Sequence, residues 1–163
     1  MQKHCLIPLL VFVTAAGTAF NVAANDSAAV FQYALPVPTQ KGERMAFLWI
    51  PPQAERVRGV VMGGMTLMER ELAQDPQIRQ ACAEESLAIL FLKCGLGAVD
   101  VPGVLEQFAK TSGYAELAQA PILFVGHSAG GPQARHCARQ HAQRCIALVQ
   151  YRGADPGDVD HDG

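Results

Sequence analysis

The chain has 163 residues, 50% of them apolar, and a formal net charge of −2. That suits one globular domain large enough to bury a core, and it excludes a polybasic nucleic-acid binder. The most basic stretch, Arg135 to Arg144, reads as the solvated face of a helix rather than a binding patch.

The N-terminus stands apart. Lys3 is its one formal charge before Asp26, an apolar stretch runs from Cys5 to Phe20, and small residues follow at Val22-Ala23-Ala24. This is the pattern of a secretory signal peptide over residues 1–24, cleaved after Ala24. An uncleaved anchor is the alternative, but Pro8, Thr14, Gly17 and Thr18 interrupt a run already short of the ~20 residues of a span. Residues 25–163 are therefore expected to be exported, secreted or periplasmic, with no further membrane segment.

Two early strands are predicted at Val30–Leu35 and Met45–Ile50, joined by the turn-rich PVPTQKGER. A short apolar strand, Gly59–Met62, runs into Gly63-Gly64. Asp75-Pro76 reads as a helix start, an N-cap side chain followed by proline at the first helical position. Leu87–Lys93 is a buried strand by length and composition, and Val104, Leu105, Phe108 and Ala109 share one face of the next helix. Ile122–Val125 is another buried strand. Ala134, Cys137 and Ala138 lie at helical spacing after it, and Cys145–Tyr151 is the last strand. Two strands with no helix between them imply an antiparallel entry. The later alternation implies a mostly parallel sheet flanked by helices on both faces.

In an exporting context Cys82, Cys94, Cys137 and Cys145 permit three pairings. Cys137–Cys145 is the nearest pair in the chain. Buried unpaired thiols are the equal alternative. No spacing of His, Cys and carboxylates suggests a metal, and no cofactor is expected.

The chemistry lies in Gly126-His127-Ser128-Ala129-Gly130-Gly131, a G-x-S-x-G element between a buried strand and a helix. A nucleophilic serine needs that context, a sharp turn lifting its hydroxyl above the sheet with glycines beside it to make room. The alternative is a serine that merely caps the helix. His127, inside the turn, is expected to pack rather than act as base. The sequence here resembles the α/β-hydrolase superfamily, specifically secreted serine esterases and depolymerase-like hydrolases. The resemblance rests on Gly126–Gly131 and, more weakly, on Gly63-Gly64-Met65.

It implies Ser128 as nucleophile and an oxyanion hole from the Ala129 N–H and the Met65 N–H. It also implies an acid after a later strand and a histidine after the eighth. Asp155 is the candidate acid, among Asp155, Asp158, Asp160 and Asp162. His136 lies roughly 12 Å along the following helix, so neither it nor His141 can reach Ser128. His161 stands in a Gly/Asp-rich tail from about residue 153. The expectation is an incomplete α/β-hydrolase domain, truncated after about strand six, inactive until an acid/His segment is supplied. Its substrate would be a small-molecule or polymer ester. A catalytically inactive binding domain or a fragment without function are the alternatives. Met62, Met65 and Met68 could line an apolar pocket, although packing explains them equally well.

Overall fold

A computed structural model describes residues 30–152. The predicted signal peptide, Asp155, Asp158, Asp160, His161 and Asp162 lie outside these residues. The elements are β1 (Tyr33–Thr39), β2 (Gly42–Trp49), β3 (Gly59–Gly64), α1 (Leu67–Gln74), α2 (Pro76–Glu84), β4 (Leu87–Leu92), α3 (Val101–Ser112), β5 (Ile122–His127), α4 (Gly130–Gln140) and β6 (Cys145–Tyr151). Short 3-10 turns at Leu96–Ala98 and Ala115–Gln119 complete the chain.

The six strands form one sheet in the order β1-β2-β4-β3-β5-β6. β1 pairs antiparallel with β2 and β2 antiparallel with β4, whereas β4, β3, β5 and β6 run parallel. Alternation along each strand divides the core in two. Val60, Met62, Leu90, Leu92, Ile122 and Phe124 face one side, where they meet Val104, Leu105 and Phe108 of α3 and Ala134 and Cys137 of α4. Val61, Ile89, Phe91 and Val125 face the other, against Ala73 of α1 and Cys82 of α2. The mostly parallel sheet, its antiparallel entry and its two helical layers follow the sequence reading.

Three features depart from it. β1 reaches Thr39, so Pro36 and Pro38 lie inside a strand rather than in a loop, and the turn shrinks to Gln40-Lys41. β1 is an edge strand and needs donors on one side only. Two prolines two residues apart leave the same outer side bare. The second departure is α1, which the reading missed because it started the helix at Asp75. The structure uses Asp75 twice, as the end of α1 and as the cap of α2, where its carboxylate accepts the Gln77 and Ile78 N–H groups at 2.8 and 3.0 Å. Third, Cys137 and Cys145 form no disulfide, and all four described cysteines are free thiols. Cys137 turns into the core toward the Leu96 carbonyl, while the Cys145 thiol lies against Ala147 of its own strand.

β6 also differs from the other parallel strands. Ile146, Leu148, Val149 and Tyr151 are all exposed, Ile146 by 59%.

Candidate active site

Both glycine turns emerge from carboxyl ends of parallel strands, β3 and β5, which pair as neighbours. That is where open α/β sheets place their ligands. The turn after β5 is tight. A side chain at Gly126 would put its Cβ 2.5 Å from the Gly130 carbonyl oxygen and 2.7 Å from the Gly131 Cα. Ser128 takes φ 50°, left-handed backbone that a residue with a Cβ adopts only at a cost of roughly 1–2 kcal/mol. Its own N–H donates to the Tyr151 carbonyl and its carbonyl accepts from Gly131, both at 3.0 Å.

The helix-capping alternative fails on geometry. The residue at the N-cap of α4 is Ala129, and no side chain caps this helix. Ser128 is thus held in strained backbone at a strand-to-helix turn and caps nothing. The fold is α/β-hydrolase-like.

Of the two expected oxyanion donors, the Ala129 N–H has no hydrogen-bond partner among the described residues. The Met65 N–H is committed elsewhere. It donates to the Leu92 carbonyl at 3.0 Å and carries the β3–β4 ladder one residue beyond β3, which corrects the expectation for that residue. Met65 is itself left-handed, φ 86°, which redirects the chain into Thr66. Its thioether accepts from Gln133 Nε2 at 2.9 Å, and Gln133 Oε1 accepts the Gly97 N–H at 3.2 Å. The glycine turn, α4 and the loop after β4 are thereby tied together. Met62 is fully buried, whereas Met65 and Met68 are about half exposed, so the three do not form one cluster.

His141 closes α4 and stacks on Phe124, with ring centroids 6.4 Å apart. His127 stacks on Tyr151 at 5.7 Å, and its Nδ1 is buried without a partner among the described residues. None of these imidazoles bonds the Ser128 hydroxyl. Among the described residues no group of three metal-ligating side chains occurs, and no helix is long and apolar enough to cross a membrane.

Sequence reasoning missed Glu69. It lies on α1, is only 3% exposed, and its Oε1 accepts the backbone N–H of His127 at 2.8 Å. Its Oε2 is hydrogen-bonded to the Thr66 hydroxyl. The spacing Thr66-x-x-Glu69 was the available signal, since it matches a capping box at a helix start. A cavity of about 290 Å³ opens beside this turn, lined by Phe47, Met65, Thr66, Arg70, Phe91 and Lys93.

No protein-family profile and no curated protein sequence matches the chain. Solved structures are similar to it at low identity. EstE1, a thermostable carboxylesterase cloned from a metagenomic library, is 16% identical with a TM-score of 0.48 over 72% of this chain and 45% of its own. An α/β serine hydrolase homologue from Coxiella burnetii is 17% identical with a TM-score of 0.44, over 74% and 62%. A lidless α/β serine hydrolase from Xanthomonas campestris is 13% identical with a TM-score of 0.44, over 72% and 59%. The chain spans between 45% and 62% of the length of these three structures.

Proposed function

We propose that the protein is an exported serine hydrolase that cleaves an ester through a covalent acyl-enzyme on Ser128. The observation that carries this reading is the left-handed backbone of Ser128 in a turn where Gly126 has no room for a side chain. A serine serving only as polar surface has no reason to sit there. Ester is the substrate class that the resemblance of the elbow implies.

In this reading Ser128 Oγ attacks the ester carbonyl carbon as its proton passes to a base. The tetrahedral oxyanion then collapses and expels the alcohol, which takes that proton. Water repeats the sequence on the acyl-enzyme and releases the acid. The oxyanion rests on the Ala129 N–H and on the Thr66 N–H. The latter is one residue beyond the expected Met65 and has no hydrogen-bond partner among the described residues. The cavity lined by Phe47 and Phe91 also has Met65 and Thr66 of that turn in its wall, and we assign it to the apolar part of the substrate. The base comes from outside residues 30–152, either His161 or a histidine of further polypeptide, with Asp155 as the candidate acid. Full activity depends on that segment.

The test is fluorophosphonate labelling of the full protein beside a Ser128→Ala variant, together with turnover of a p-nitrophenyl ester. Labelling and turnover confined to the Ser128 protein are expected. Equal labelling of the two removes Ser128 as the nucleophile. Folded protein with no labelling at all favours the second reading, an inactive binding domain, for which the absence of a described imidazole bonded to Ser128 speaks.

A further inference from the structure

Glu69 is the one buried charged or polar side chain among the described residues. Burying a carboxyl group is costly unless its oxygens are hydrogen-bonded. Both are, and each goes to a different turn. Oε1 accepts the His127 N–H inside the elbow, and Oε2 meets the Thr66 hydroxyl at the end of the glycine turn. Neither salt bridge among the described residues, Arg58–Glu85 or Arg70–Glu71, involves it.

The surroundings fit this placement. A Cβ on Gly63 would lie 3.3 Å from Glu69 Cγ, and a Cβ on Gly130 would overlap Glu69 Oε1. Glu69 therefore fills the wedge between the end of β3 and the start of α4, and the glycines on both sides give it the space. The local capping pattern is only half formed. Thr66 and Glu69 have the spacing of a capping box, yet the Thr66 side chain makes no capping bond to α1. Glu69 keeps one oxygen on Thr66, three residues away, and sends the other across 58 positions of sequence to the turn that carries Ser128.

We infer that Glu69 is a positioning residue for acyl transfer at Ser128, fixing the separation of the two turns that carry the oxyanion donors. The inference rests on the reading of Ser128 as nucleophile. The donors, Ala129 N–H and Thr66 N–H, belong to segments that touch only in the folded state. A shift of about 1 Å between such groups can cost on the order of 10²-fold in rate. One planar group with an oxygen for each turn fixes both distances at once. Glutamine can replace it. Gln Oε1 accepts the His127 N–H, and Nε2 donates to a Thr66 hydroxyl turned the other way. Alanine reaches neither turn, and aspartate is one methylene short.

The experiment measures the rate and saturation of Ser128 phosphonylation by a fluorophosphonate, whose phosphonyl oxygen occupies the oxyanion position. Hydrogen exchange over residues 63–68 and 125–131 is followed in parallel, all in the full protein. Glu69→Ala is expected to lower the limiting rate at least tenfold with the half-saturating concentration little changed, and to speed exchange in both segments. Glu69→Gln is expected within about threefold of wild type on both readouts, a rescue that generic loss of packing does not produce. Wild-type labelling by a folded Glu69→Ala, or a Glu69→Gln as slow as Glu69→Ala, overturns the inference and leaves the nucleophile reading intact. Labelling that does not depend on Ser128 overturns that reading and the inference with it. Should Glu69→Ala fail to fold, Thr66→Val decides. It cuts one tie without opening a cavity, so a slowed limiting rate supports the inference and an unchanged one overturns it.

Discussion

β4 (LAILFL) and β6 (CIALVQY) are both short and apolar, β4 running parallel to β3 and β6 parallel to β5. In the molecule they share little else. β4 runs between β2 and β3 and is buried from Ala88 to Leu92, its side chains alternating into the two cores. β6 has β5 on one side and no further strand among the described residues on the other, and four of its large apolar side chains are exposed. An apolar strand is thus a statement of what a segment could bury, and its neighbours decide whether it does. An exposed apolar edge of this kind is also a template for association.

That contrast can be broken by measurement. Leu90→Ala in β4 is expected to cost about 2–5 kcal/mol in chemical denaturation, as for a fully buried leucine. Leu148→Ala in β6 should cost under about 1 kcal/mol, since much of that side chain stays wet in the folded state. Equal losses would mean that β6 is covered in solution. The elbow where β5 ends gives the next largest effect. Gly126→Ala should destabilise by about 1–3 kcal/mol, because the added methyl meets backbone that cannot move aside.

Ser128→Gly has the opposite sign. Relieving φ 50° is expected to stabilise the fold by about 0.5–1 kcal/mol while removing labelling by the fluorophosphonate. An unchanged or lower stability would show that the turn stores no strain. The smallest effect concerns thiols. Burial pushes the Cys82, Cys94 and Cys137 thiols above their ordinary range, so less thiolate is present near neutral pH and alkylation is slowed. Cys145, on the exposed strand, should be alkylated by iodoacetamide first, and the buried Cys82 and Cys137 last. Mass spectrometry of a time course checks that order.

What could be read in advance follows from range. The tight turn at Gly126–Ser128 was legible because its residues are contiguous and their types answer a local steric demand. α2 was legible because Asp75-Pro76 is a local start signal. β1 was misplaced because prolines inside a strand are tolerated only on an edge, and edge position is a property of the whole sheet. The engagement of the Met65 N–H was not legible because the ladder to Leu92 carries on past β3, a pairing between segments with helices α1 and α2 between them. Glu69 was overlooked since its main partner, His127, is 58 residues away.

The sequence by itself determined the strand–helix alternation, the parallel sheet and the serine on its turn, because each depends on periodicity and sterics within a few residues. Tertiary structure alone decided that, among the described residues, β4 is core and β6 is edge, that the four described cysteines stay unpaired, and that one buried carboxyl group ties two turns together. Those outcomes depend on which distant segments meet, and short-range pattern carries no record of that.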